Sequence, residues 1–194
     1  MLELYAVPAG FPTNLTAAQR FDTDGLHPPF ATTMSAYASG WQQAANNLYA
    51  ETTFVCPAYW LADAYRGLGK KGWRYQFSIP NAFHGSDLTP LQMDSGVAAE
   101  RYDGDFRRGL QNLWAQFILD GVPTLGPAAA NVGGLAAAAE ATWKPWGEGG
   151  TFDMLSVNVT DAKPVKTDWS VVDAMKFEGG RGERCKLWAE IGFR

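Results

Sequence analysis

Two histidines, His27 and His84, are the only imidazoles in 194 residues. An imidazole with an unperturbed pKa of about 6.5 can take and return a proton near neutrality, so each is a candidate general base. His27 lies between Leu26 and Pro28-Pro29, matches no motif and reads as structural. His84 stands in Phe83-His84-Gly85-Ser86-Asp87-Leu88, just past an alternation of apolar and polar residues at Trp73–Ile79. Ser86 is too close in sequence to aim its hydroxyl at His84, and no strained strand-to-helix turn presents it, so a local Ser–His pair is rejected. Asp87 reads equally well as an ordinary loop acid. Glu3 is too near to serve His84 as a triad acid. The chain has no Gly-x-Ser-x-Gly elbow, no P-loop and no metal-ligand spacing. Gly67-Leu68-Gly69-Lys70-Lys71-Gly72 has the spacing of a dinucleotide-binding loop. Such a loop follows a strand and opens a helix; here a helix end runs into a strand, so the match is discounted.

The length fits one domain with a substantial core, and 46% hydrophobic against 19% charged residues excludes disorder for most of the chain. A net charge of -4 offers phosphate backbones nothing, so nucleic-acid binding is not expected. No apolar run approaches the roughly 20 residues that cross a bilayer. Met1-Leu2-Glu3-Leu4 is not the start of a signal segment. Two cysteines allow one internal disulfide at most; two free buried thiols are the alternative.

These residues need elements to hold them. Residues 1–30, rich in Pro and Gly, read as loops. A helix is expected over Thr33–Leu48, with Met34, Tyr37, Trp41, Ala45 and Leu48 on one stripe. A second is expected over 51–67, with Phe54, Val55, Tyr59, Leu61, Ala62 and Tyr65 as apolar positions, Pro57 early in it and Gly67 or Gly69 ending it. Residues 73–79 read as a strand that Pro80 stops. Residues 103–120 read as the best helix, with Phe106, Leu110, Leu113, Trp114, Phe117 and Ile118 in phase, acids at its start and Gly121 after its end. The Ala-, Gly- and Pro-rich stretch 122–150 reads as a surface insertion. Phe152–Val159 reads as a late strand, and 168–177 and 183–192 as short helices.

In this setting several short motifs occur in a telling order. They are Glu51-x-x-x-x-Cys56-Pro57, His84-Gly85-Ser86-Asp87, Trp114-x-x-Phe117 before Gly121-Val122-Pro123, Trp143-Lys144-Pro145-Trp146 and Cys185-x-x-Trp188. Together, over roughly 50–188, they resemble the type-B carboxylesterases, a family of α/β-hydrolases that includes lipases, fungal esterases and cholinesterases. The fungal members look most similar, through Tyr59-Trp60-Leu61-Ala62 and the Trp73–Phe77 strand.

The resemblance implies an α/β fold in which residues 1–194 form the C-terminal part of one α/β-hydrolase domain, the last strands of its central sheet plus covering helices. It implies a carboxylic ester hydrolase in which His84 is the catalytic base. Glu51 and Asp87 would lie behind it, and Phe83 would line the substrate pocket. Cys56 and Cys185 match the family's disulfide positions. The nucleophilic Ser, the triad acid and the oxyanion hole precede the matched region in the family, so an N-terminal part of the same esterase is the expected partner. A small ester is the expected substrate, with no cofactor, metal or membrane span. Asn14 and Asn158 open glycosylation sequons and, with the cysteines, point to a secreted setting. A non-catalytic, truncated esterase-like binding module is the alternative.

Overall fold

The computed structural model describes residues 5, 38, 40–79, 84–92, 102–160 and 164–192. Helix α1 (Gly40–Ala50) runs through a wide π turn, Glu51–Val55, into α2 (Cys56–Gly67). Strand β1 (Arg74–Phe77), the single turn α3 (Leu88–Leu91) and the long α4 (Gly104–Asp120) come next. A 3-10 turn (Pro127–Asn131) leads into α5 (Gly133–Glu140), then β2 (Asp153–Val159), β3 (Thr167–Asp173) and α6 (Phe177–Gly192). The strands form one small mixed sheet in the order β1-β2-β3, with β1 parallel and β3 antiparallel to β2. The class is mixed α/β.

The central strand sets the layers. Met154 through Val159 are all buried, as a strand covered on both faces must be. Leu155, Val157 and Val159 pack on one face with Trp169 of β3, Phe106, Leu110 and Leu113 of α4, and Leu135 and Ala138 of α5. Met154 packs on the other with Cys56 and Tyr59 of α2, Trp146, and Phe177 and Cys185 of α6. The two buried polar residues of this strand make bonds inside: Ser156 Oγ lies 2.7 Å from Ser78 Oγ, and Asn158 Oδ1 accepts from Val159 N at 2.9 Å.

The alternation in β1 obeys the same geometry. Tyr75 and Phe77 meet the α4 side. The polar members turn not to water but to the α2–α6 side. The Arg74 guanidinium lies 3.9 Å over the Tyr59 ring, and Gln76 Oε1 accepts from Arg181 Nη1 at 3.0 Å.

Helix α4 obeys its sequence signals. Asp103 caps it by accepting from Phe106 N at 2.9 Å, and Gly121 ends it at φ 70. Only its first half buries the expected stripe, for Trp114, Phe117 and Ile118 are exposed. The expected stripe of α1 is also wrong: Trp41 and Ala45 face outward, and Gln43 and Ala44 face inward. Met34 and Tyr37 lie outside the described residues. The π turn explains why half of the expected positions in the next segment miss the core. Cys56 N bonds to Glu51 O, five residues back, so the turn holds an extra residue and rotates α2 by about 100°. Pro57, which has no N–H and crowds the preceding turn, favours that widening. Cys56 faces inward, Tyr59 is buried and Val55 and Ala62 are half-buried beside it as expected, while Phe54, Leu61 and Tyr65 stay exposed.

Two further expectations need correction. Residues 168–177 are not a helix: Thr167 and Trp169 are buried and Asp168 and Ser170 exposed, a period of two that pairs with β2. Nor is 122–150 a surface insertion, since Leu125, Ala129, Leu135 and Ala138 join the main core. Its small residues are what permit this. A Cβ on Gly134 would stand 1.7 Å from the Thr167 carbonyl oxygen. Gly134→Ala is therefore expected to push α5 off β3 and destabilise the fold by about 1–3 kcal/mol or more. Gly133→Ala, with nothing within 4 Å of its Cβ, is the control. Equal denaturant midpoints for the two variants would refute this.

A disulfide joins Cys56 to Cys185, with Cα atoms 5.0 Å apart, and pins the start of α2 to α6. It closes a loop of 129 residues, for which loop-closure entropy gives at most about 5 kcal/mol.

Candidate functional site

The C-terminal end of β1 is where chemistry-bearing groups gather. Four residues, His84–Asp87, form a turn there and lead into α3. Gly85 has φ 81, a left-handed conformation that glycine adopts without strain, and Leu88 N donates to Gly85 O at 3.0 Å to close the turn. His84 is exposed. Its ring rests on Phe54 of the π turn, centroids 5.5 Å apart and planes tilted by 30°. The structure brings no hydroxyl, thiol or carboxylate within hydrogen-bonding distance of its imidazole among the described residues. One ring face of His84 is held by Phe54, and no described residue bonds its nitrogens.

Asp87 accepts from Tyr75 Oη at 2.6 Å. Burial pushes the Tyr75 phenol well above its ordinary value, and the bond to Asp87 pushes it further. The Tyr75 ring meets Trp114 edge-on at 6.3 Å, on the wall of an apolar groove of about 100 Å³ that Trp73, Phe117, Pro123 and Trp143 complete. Nothing in the sequence singled out Tyr75, because in an alternating strand it reads as core.

Glu51 opens the π turn and is buried. Arg184 grips its carboxylate through Nε at 2.9 Å and Nη2 at 2.5 Å. Tyr5 Oη donates to it at 2.6 Å, and Arg181 Nε lies 3.5 Å away. Burial would raise this carboxyl, but the bonded Arg184 guanidinium, with Tyr5 and Arg181, holds it below the ordinary range. Arg181 also pairs with Glu178 and bonds Gln76 of β1. Glu178 sits at φ 47 and Gly179 and Gly180 at φ 71 and 82, a left-handed break at the head of α6. Arg184 donates to the carbonyls of Glu178 and Gly179 across it. Tyr5 accepts from Trp188 Nε1 at 2.7 Å. Glu51 thus ties the π turn that supports His84 to α6, and through Arg181 and Gln76 to strand β1, which Tyr75 bonds to the His84 turn at Asp87. The sequence marked Glu51 but not Arg181, Arg184 or Tyr5. Their signal was the spacing of two arginines with Cys185 on one helix.

Phe83, His27 and Asn14 lie outside the described residues. Asn158 is only 5% exposed on the central strand, so this fold leaves its sequon no room for a glycan. Among the described residues no three His, Cys, Asp or Glu side chains cluster as metal ligands, and no helix is long and apolar enough to cross a membrane. No family model, no curated protein and no solved structure matches the chain.

Proposed function

We propose that this chain is the C-terminal part of a serine carboxylic-ester hydrolase and supplies its general base, His84. The observation that carries this reading is an accessible imidazole in a turn that follows a strand, β1, is bonded to it through Tyr75 and Asp87, and so stands beside a strand that runs parallel to its neighbour. In open α/β sheets the carboxyl end of such strands is where ligands bind. The ordered motifs and the Cys56–Cys185 bridge agree with the type-B carboxylesterase resemblance. An oxidising, extracellular setting suits that bridge.

In the mechanism, His84 withdraws the proton of a serine hydroxyl as it attacks the ester carbonyl. It then returns the proton to the leaving alcohol, and deacylation by water repeats the cycle with His84 as base again. The serine, the acid that orients His84 and the oxyanion donors come from a preceding segment of the same esterase. Among the described residues β1 pairs only with β2, so its other edge is where a strand of that segment would add. The Phe54 contact and the Tyr75–Asp87 bond keep His84 at the end of β1 while the partner group approaches.

A non-catalytic, truncated binding module is the second reading. It is favoured by the lack of a triad partner for His84 among the described residues. One comparison separates the two. The isolated 194-residue chain is expected to be poorly folded and silent toward p-nitrophenyl acetate, because it exposes a strand edge and a broad apolar surface. The chain joined to its preceding segment is expected to hydrolyse the ester and to lose activity to a serine-directed phosphonylating reagent. Turnover by the isolated chain well above a denatured control defeats the division of labour. Silence of the joined protein favours the module.

A further inference from the structure

We infer that Tyr75 is a positioning residue: its hydroxyl, bonded to the Asp87 carboxylate, clasps the His84 turn to β1 and so fixes where the imidazole stands. This deepens the reading of His84 as a base and rests on it for its effect on turnover. The clasp itself stands on geometry alone.

The turn is short and open to solvent at its start. It has four residues, an exposed His84 and a glycine in the left-handed region. A backbone bond, Leu88 N to Gly85 O, closes it. Short exposed segments of this kind open locally far more readily than the core they leave. Tyr75 is anchored where the turn is not. It lies in the sheet opposite Leu155 and meets Trp114 edge-on. From there its hydroxyl reaches Asp87, three residues beyond His84, at 2.6 Å. A hydroxyl donating to a carboxylate makes one of the shorter and stronger hydrogen bonds. Phe54 against the ring of His84 and Tyr75 on Asp87 hold the turn beside the imidazole and at its far end. A base must be held within about 0.5 Å of its working position, which a short turn exposed at His84 does not provide by itself.

The test begins with hydrogen exchange at the Leu88 amide in the assembled protein. Tyr75→Phe removes one oxygen and leaves the ring in place. It is expected to speed exchange at Leu88 by about ten-fold to a hundred-fold, the worth of a hydrogen bond to a charged group, while the amides of β2 are unchanged. Asp87→Ala should do the same, and the double variant should add nothing to either. Asp87→Asn, which keeps an acceptor oxygen, should restore most of the protection. On a short-chain ester, Tyr75→Phe and Asp87→Ala should lower kcat by about ten-fold or more with KM unchanged, and Asp87→Asn should recover it. Unmoved exchange in Tyr75→Phe, or additive effects in the double variant, overturns the clasp. Faster exchange with unaltered kcat overturns its role in positioning. The exchange arm needs no esterase activity, so an inactive assembly counts against the proposed function and leaves the clasp to be decided by exchange.

Discussion

His84→Ala, in the chain joined to the segment that carries the serine, is expected to lose about 10⁴-fold of kcat on a short-chain ester. The magnitude comes from the chemistry. An unassisted serine hydroxyl is a poor nucleophile at neutral pH, and the same imidazole must later protonate the leaving alcohol. His84 is exposed and its ring rests on Phe54, so its removal opens little of the core. A packing change of that size alters a rate by a small factor, not by orders of magnitude. Binding of the uncharged ester should be nearly intact, placing the loss in kcat. His27→Ala is the control and should cost little. If a His84→Ala protein, shown by circular dichroism to be folded, keeps more than about a tenth of the rate, the assignment of the base is wrong.

The parts of this fold that could be read from sequence are those where local and tertiary preferences agree. Helix α4 has an aspartate that caps it, a glycine that ends it and Phe106, Leu110 and Leu113 in phase, and each of these works in the structure as its type suggests. β1 and β2 were likewise visible as an alternation and an apolar run. Reading failed where a single residue changed the phase or the meaning of a pattern. Past the extra residue of the π turn Cys56 faces inward and Phe54 and Leu61 stay outside, although Tyr59 is buried as its type suggests. The alternation of Thr167 and Trp169 with Asp168 and Ser170 was present but lay beside a helical segment. Ala and Gly between 122 and 150 looked like low-complexity filler, yet their small size lets α5 close on β3. At the site, His84, Asp87 and Glu51 were legible as reactive types. Tyr75, Arg181 and Arg184 were not, because their roles depend on partners 12, 130 and 133 residues away.

Glu51→Ala should cause the largest loss of stability that one substitution near the site can produce, about 3–5 kcal/mol, the range for breaking a buried ion pair. The reason is what the carboxylate leaves behind. The Arg184 side chain is 11% exposed and the Arg181 side chain 1%, and neither can regain water where it lies. Arg181 keeps Glu178, but Arg184 loses its carboxylate and keeps, among the described residues, the two carbonyls at the head of α6 and the face of the Tyr5 ring. Glu51→Gln is the sharper variant, since it keeps the shape and an acceptor while removing the charge, and it predicts a pH signature. The Glu51 carboxyl is held below its ordinary value in the fold, so its ionised form is favoured there. Its contribution is complete above the unfolded value of about 4.3 and is lost as pH falls through the lower folded value. Tyr5 has the opposite sign: burial, then the bond to Glu51, pushes its phenol up to about 12. The neutral phenol is the favoured form, so that contribution is complete below about pH 10 and is lost as pH rises from there toward 12. Wild type should therefore lose stability on both limbs. In Glu51→Gln the acid limb should flatten below about pH 4, and the alkaline limb should shrink because one cause of the Tyr5 shift has gone. Urea midpoints measured across pH on the joined protein decide the matter. An acid limb of unchanged slope in Glu51→Gln would show that this buried carboxylate does not carry the pairing assigned to it.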